Sequence, residues 1–178
     1  LEATLKLIED FTAQGFNKKQ IFITGRSCGG WMTMMLLSRY QDIVAGGISF
    51  VPECYGRLTK KYKVKKVGVE VALKKFKEKD GTGPANMRQM QIDEIKKSTN
   101  LPVLVFTHPK DPFGGLVSDW VEEVSGVERI VISQNNKVNG KSCSVWGKPI
   151  KNYHDMDRAT CFKEFNPKIL DFIASRLN

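Results

Sequence analysis

Ser27 stands in Gly25-Arg26-Ser27-Cys28-Gly29, and Asp111 and His154 follow it in that chain order. A serine hydroxyl is a weak nucleophile near neutral pH. It needs a base within hydrogen-bond reach, and the base needs an acid to orient it. The β-rich segment Ile21-Phe22-Ile23-Thr24 runs into this Gly-x-Ser-x-Gly pentapeptide, and the apolar run Met32 to Leu37 follows it. That is the strand–turn–helix setting of a nucleophile elbow, with the hydroxyl at the C-terminal end of a sheet and near the positive end of a helix. The flanking glycines leave room for strand and helix to pass closely.

On such a sheet the acid and base come from loops after later strands, acid first and histidine second. Asp111 lies four residues past a strand candidate, 101–107, in a loop stiffened by Pro109 and Pro112. His154 lies beyond the last strand and hairpin, just before the terminal helix. In these roles Asp111 fixes one tautomer of His154, and His154 takes the Ser27 proton and returns it to the leaving group. The Cys28 backbone N–H is expected as one oxyanion donor, an interaction of about 3 kcal/mol in known holes.

Each residue has a plainer reading beside this one. Asp111 could cap a turn through Asp-Pro chemistry, and His154 could be a surface histidine beside Tyr153. Asp119, Asp155 and Asp157 are rival acids, but Asp119 falls mid-helix and the other two follow His154 too closely. His108, ahead of the acid, reads as structural or pocket-lining. Cys28 reads as a small packing residue, because Ser27 occupies the elbow.

The elements that must position these side chains follow from periodicity. Leu1, Leu5, Ile8 and Phe11 predict a helix over 1–14, stopped at Gly15. Strands are expected at Gln20–Thr24, Ile43–Val51, Leu101–Thr107 and Arg129–Ser133. Helices are expected from about Gly29 to Tyr40, from about Ala85 to Lys97 after a Gly81–Pro84 break, over Leu116–Val124, and from Asn166-Pro167 onward. Asn139-Gly140 predicts a hairpin reaching Trp146. Strands alternating with helices give an α/β fold, a mainly parallel sheet with helices on both faces. Residues 1–178 read as one domain, with 53–100 inserted as a basic cap or lid.

No apolar run approaches the ~20 residues of a membrane-spanning helix, which excludes that class. The chain has four cysteines and no Cys-x-x-Cys pair. They read as free thiols, which slightly favours the cytoplasm. No signal peptide is visible, a reading that a removed one would also satisfy. With His108 and His154 as the two histidines, neither a metal site nor a cofactor is expected.

The formal charge is +9. Between Arg57 and Lys79, ten Lys and Arg face Glu70 and Glu78, so this segment holds nearly all the excess. It reads first as a solvated surface, and second as a patch for an anionic partner. Tyr62 and Phe76 offer no array for stacking bases, so nucleic acid is not the expected partner.

The stretch from Gly25-Arg-Ser-Cys-Gly-Gly-Trp-Met to Val51-Pro52 resembles the elbow region of α/β-hydrolases, in the prolyl-oligopeptidase and dienelactone-hydrolase branches. Pro102-Val-Leu-Val-Phe-Thr-His108-Pro-Lys-Asp111-Pro-Phe113 resembles the acid loop of the same family. The resemblance spans roughly residues 1–52 and 101–178. It departs at Cys28, where an aromatic is usual, at Pro109, where glycine is usual, and in the longer loop before His154. It implies a central elbow strand with about four strands ahead of it, whereas one helix precedes the elbow strand here. A C-terminal portion of a larger protein is therefore expected, or a sheet completed by a second chain. The second oxyanion donor would lie in that missing part.

The expected function is a serine hydrolase cleaving a small acyl ester, thioester or amide through an acyl-enzyme. Esterase is favoured over a prolyl-oligopeptidase-type peptidase. The alternative of another class is an inactive hydrolase-like scaffold that binds an anionic partner through residues 57–79.

Overall fold

Val103 and Val105 enter one apolar cluster while Leu104 and Phe106 enter another. Alternation with period two, apolar on both sides, makes a strand covered on both faces. A computed structural model describes residues 1–132, 137–138 and 141–177. The chain runs α1 (Glu2–Ala13), β1 (Phe22–Arg26), α2 (Cys28–Arg39), β2 (Gly46–Phe50), α3 (Leu58–Lys61), α4 (Val64–Val67), α5 (Val69–Asp80) and α6 (Thr82–Lys96). There follow β3 (Val103–Thr107), β4 (Val127–Val131), the short hairpin pairs β5–β6 (Lys137–Val138 with Lys141–Ser142) and β7–β8 (Ser144–Val145 with Lys148–Pro149), and α7 (Asn166–Leu177).

The main sheet has the order β1-β2-β3-β4 and every pairing in it is parallel. On one face, α2 and α6 bring Trp31, Met34, Met35, Ile92 and Ile95 against Val103 and Val105. On the other, Phe172 of α7 joins Leu104, Phe106, Met156 and Phe162. The expected fold class is therefore the observed one. α6 is the crossover helix from β2 to β3, fastened to α2 by Arg39, whose Nε and Nη2 donate to Glu94 at 2.5 and 2.9 Å. The shorter helices α3 to α5 carry a cluster of their own, built on Leu58, Tyr62, Val64, Ala72 and Phe76 and joined by Val117.

Several expectations shift. The elbow strand is displaced two residues towards Ser27 and ends at Arg26. Pro84 lies in the first turn of α6, which starts at Thr82, so the expected Gly81–Pro84 break narrows to Gly81, at φ 97° between α5 and α6. Residues Gly115–Glu123 wind as a 3-10 segment where an α-helix was expected. The fourth strand begins at Val127. Its expected end, Ser133, and the Asn139-Gly140 turn lie outside the described residues.

The free-thiol reading is corrected outright. Cys28 pairs with Cys54 and Cys143 with Cys161. The partners are 26 and 18 residues apart, so proximity in sequence could not reveal them. No described helix is long and apolar enough to cross a membrane.

Among the described strands β1 pairs with β2 alone, so its other edge is open. Beside it runs an apolar groove of about 460 Å³ lined by Leu7, Phe11, Ile21, Ile23 and Met32. Leu7 and Phe11 stay 53% and 40% exposed there.

Candidate active site

Where β1 meets α2, Ser27 adopts φ 56° and ψ −125°. For a residue with a Cβ this is a sparsely populated conformation costing of order 1–3 kcal/mol, held only where the surroundings impose it. Here the Ser27 N–H donates to the Phe50 carbonyl at 2.9 Å, and the Ser27 carbonyl accepts from the Trp31 N–H at 3.0 Å. The crowding falls on unexpected glycines. A Cβ on Gly25 would meet the Gly29 carbonyl oxygen at 2.2 Å, and one on Gly30 would meet Ser49 Oγ at 2.7 Å. A Cβ on Gly29 itself would meet open space. The second tight glycine is thus Gly30, one residue beyond the five-residue motif.

Three side chains from distant segments form one line. Ser27 Oγ lies 2.8 Å from His154 Nε2. His154 Nδ1 lies 3.0 and 3.1 Å from the two carboxylate oxygens of Asp111. A carboxylate only accepts, so this network puts the imidazole proton on Nδ1 and leaves Nε2 to accept from the serine hydroxyl. The Glu53 carbonyl, 3.3 Å from Ser27 Oγ, is the poorer acceptor. Asp111 and His154 are both buried. Asp111 also accepts from the Phe113 N–H at 2.9 Å and the Gly114 N–H at 3.3 Å. The turn-capping role and the contact with histidine therefore coexist in one carboxylate.

Cys28 opens α2, so its N–H is among those without a partner inside the helix. Its Sγ is joined to Cys54, which ties the helix start to the loop after β2. In that loop Val51, a β-branched residue, sits at φ 43°. Glu53 follows, with its carboxylate accepting from the Cys54 and Tyr55 N–H groups at 2.9 Å each and facing Arg88 at 3.4 Å. Burial pushes the Glu53 carboxyl above its ordinary value, and the Arg88 charge and those N–H groups oppose the rise.

The histidine loop is held from two sides. Arg26 donates from Nε to Asp157 at 2.9 Å and from Nη2 to the His154 carbonyl at 2.7 Å, and it also pairs with Asp155. Two of the three rival acids, Asp155 and Asp157, thus serve as anchors for the segment that carries His154, and the third, Asp119, pairs with Arg129. Phe113 stacks on the His154 ring at 4.1 Å, and Tyr153 stacks on the His108 ring at 4.1 Å. His108 Nδ1 accepts from the Lys110 N–H at 3.0 Å, which shapes the turn into Asp111.

The roles of Arg26, Glu53 and Phe113 were not visible in the sequence. Only the pairing chemistry of an arginine next to the serine could have hinted at one of them. Among the described residues no group of three His, Cys, Asp or Glu is arranged to hold a metal ion.

No family model matches the sequence, and no curated protein matches it. Solved structures do. A predicted CIB-like hydrolase from Thermoplasma acidophilum shares 20% identity at a TM-score of 0.50, over 95% of this chain and 57% of its own. A carboxylesterase structure from the thaumarchaeon Nitrososphaera gargenis shares 12% at 0.49, over 96% and 72%. An enol-lactonase from Burkholderia xenovorans shares 12% at 0.42, over 85% and 64%. The fold is that of the α/β-hydrolases, present in part: a parallel four-strand sheet between helices. The chain spans little more than half the length of the Thermoplasma protein.

Proposed function

We propose that this chain carries the nucleophile, base and acid of a serine hydrolase that cleaves small acyl esters, thioesters or amides. The observation that supports it is Ser27 held at positive φ with its Oγ 2.8 Å from His154 Nε2. In this reading Ser27 Oγ bonds to the substrate carbonyl carbon as its proton passes to Nε2, while Asp111 accepts the hydrogen bond of the proton that stays on Nδ1 and stabilises the imidazolium. The tetrahedral oxyanion rests on the Cys28 N–H. The Nε2 proton then goes to the leaving group, and water repeats the cycle to release the acid from Ser27.

Two structural proposals accompany this one. Helices α3 to α5 act as a cap, because Thr59 and Lys60 hydrogen-bond to the acid loop at Phe113 and Pro112. The open edge of β1 and its apolar groove are covered by strands from outside residues 1–178 or from another chain, since an exposed apolar edge invites aggregation. The same region supplies the second oxyanion donor.

Esters are the leading substrate class and prolyl-oligopeptidase-type peptides the alternative. Turnover of short acyl esters is compared with that of peptide amides, using the complete protein. Ester hydrolysis lost by about 10⁴-fold or more in Ser27→Ala is the expected result. Preferential amide cleavage would make it a peptidase. No turnover of either substrate, with salt-sensitive binding of an anionic partner lost on neutralising Lys60, Lys61, Lys65 and Lys66, would make it a scaffold.

A further inference from the structure

The two disulfides lie in opposite surroundings. Cys143 and Cys161 are 2% and 1% exposed, inside an apolar cluster with Phe162 and Phe172. Cys28 is exposed and Cys54 is half-buried. One bridge is walled off by side chains, and the other stands within reach of solvent. An exposed bridge exchanges with thiols, whereas a buried one resists because the attacking sulfur must reach it.

The exposed bridge is also the one at the nucleophile. Cys28 directly follows Ser27, and Cys54 directly follows Glu53, whose carbonyl lies 3.3 Å from Ser27 Oγ. Sheet bonding ends just before this loop, where the Val51 N–H donates to the Phe106 carbonyl at 2.8 Å. Beyond that point the bridge is the covalent tie between the Glu53 loop and the start of α2.

Exchange has a favoured direction here. Cys28 is the first residue of α2, a helix of 12 residues. A thiolate at a helix N-terminus is stabilised by the unpaired N–H groups and the dipole. Cys28 is therefore the better leaving sulfur, and Cys54 the one that an incoming thiolate attacks.

We propose that Cys28–Cys54 is a thiol–disulfide exchange site for a dithiol reductant, and that opening it slows the hydrolase. The second half rests on the hydrolase reading, and the first stands on the bridge alone. One thiolate of the dithiol bonds to Cys54 Sγ as the Cys28–Cys54 bond breaks, and that bond's electron pair leaves on Cys28. The second thiolate of the dithiol attacks its partner sulfur in the mixed disulfide and releases Cys54. The dithiol ends as a disulfide, two electrons have passed to the bridge, and the reagent's two protons go to the cysteines or to solvent. Two consequences reach Ser27. The Glu53 loop loses its covalent tie to the elbow, and a Cys28 thiolate places negative charge at the helix end where the tetrahedral oxyanion develops. Re-oxidation reverses both.

The test has a mapping arm and a turnover arm. The complete protein is equilibrated with graded ratios of reduced to oxidised dithiothreitol, its thiols are trapped with iodoacetamide, and the adducts are mapped by mass spectrometry. Cys28 and Cys54 should be trapped in buffers where Cys143 and Cys161 stay joined and circular dichroism is unchanged. Parallel samples, freed of reagent without air, are assayed for ester hydrolysis. kcat should fall by about tenfold or more, as for a misplaced site, along the curve that opens Cys28–Cys54. It should return on treatment with oxidised glutathione. Cys54→Ser should be slow in every buffer, and Cys143→Ser/Cys161→Ser should keep the response. If that double variant does not fold, the wild-type map and its matching rate curve decide.

Free Cys28 and Cys54 in the air-oxidised protein would overturn the exchange site, as would opening only together with Cys143–Cys161 while the fold melts. Selective opening with unchanged kcat would overturn the switch and leave the hydrolase reading standing. Selective opening in a protein that hydrolyses no ester in either state would uphold the exchange site and overturn the hydrolase reading instead.

Discussion

The guanidinium of Arg26 donates to the backbone carbonyl of His154 at 2.7 Å, although 128 residues separate them. Arg26 immediately precedes Ser27, so the elbow itself holds the loop that carries His154. Two further acceptors, Asp155 and Asp157, complete the grip. A planar fork with five donors can serve three acceptors in fixed directions, whereas an ammonium cannot.

Replacing Arg26 should therefore act on catalysis through the position of His154. Arg26→Ala is expected to lower kcat by roughly 10- to 100-fold, the scale of a misplacement near 1 Å. Arg26→Lys should recover little of the loss. The loss should fall on kcat, with KM little changed. Ester kinetics measure this, and wild-type rates in Arg26→Ala would show that the loop needs no such anchor.

The glycines of the elbow separate by their surroundings. Gly25→Ala places a methyl 2.2 Å from the Gly29 carbonyl oxygen, and backbone cannot give way as a side chain can. The variant should lose about 1–3 kcal/mol or more and most activity. Gly29→Ala meets open space near the start of α2. It should be neutral or stabilising by up to about 1 kcal/mol, through helix propensity. Thermal unfolding of the pair checks the order.

Both disulfides constrain the unfolded chain, by about 2–4 kcal/mol each on the usual scale. Only Cys28–Cys54 borders the serine and the Glu53 loop. Cys54→Ser should therefore lower both stability and kcat, whereas Cys161→Ser should lower stability with a much smaller effect on kcat. Equal kinetic losses in the two variants would remove the special position of the first bridge.

Glu53 makes stability depend on pH. Burial holds its folded-state value above the unfolded value of about 4.3, so the folded chain binds that proton more tightly. Its contribution is full below the unfolded value and is lost as pH rises through the folded one. Denaturant titrations from pH 4 upward should show this decline, and Glu53→Gln should flatten it. Superimposable pH curves for the two proteins would contradict the assignment.

The sequence made legible what repeats or follows a fixed order. Alternation at 103–106 marked a doubly covered strand, and the spacing of Leu1, Leu5 and Ile8 marked α1. The elbow pentapeptide, followed by an acid and then a histidine, pointed to three side chains that meet in space. What stayed hidden depends on contacts between remote segments. Cys28 and Cys54 meet only because β1 and β2 are neighbours. Gly30 is crowded by Ser49 of that neighbouring strand, so a five-residue motif could not expose it. Arg26 and Phe113 occupy positions that any side chain could fill until the histidine loop is laid against them.

The central claim is that Ser27 is the nucleophile. The most direct test treats the complete protein with a fluorophosphonate and maps the adduct by mass spectrometry. The account predicts a single phosphonylated peptide containing Ser27, no adduct in Ser27→Ala, and labelling slowed by orders of magnitude in His154→Ala. An unlabelled wild-type protein, or an adduct on another residue, would contradict it.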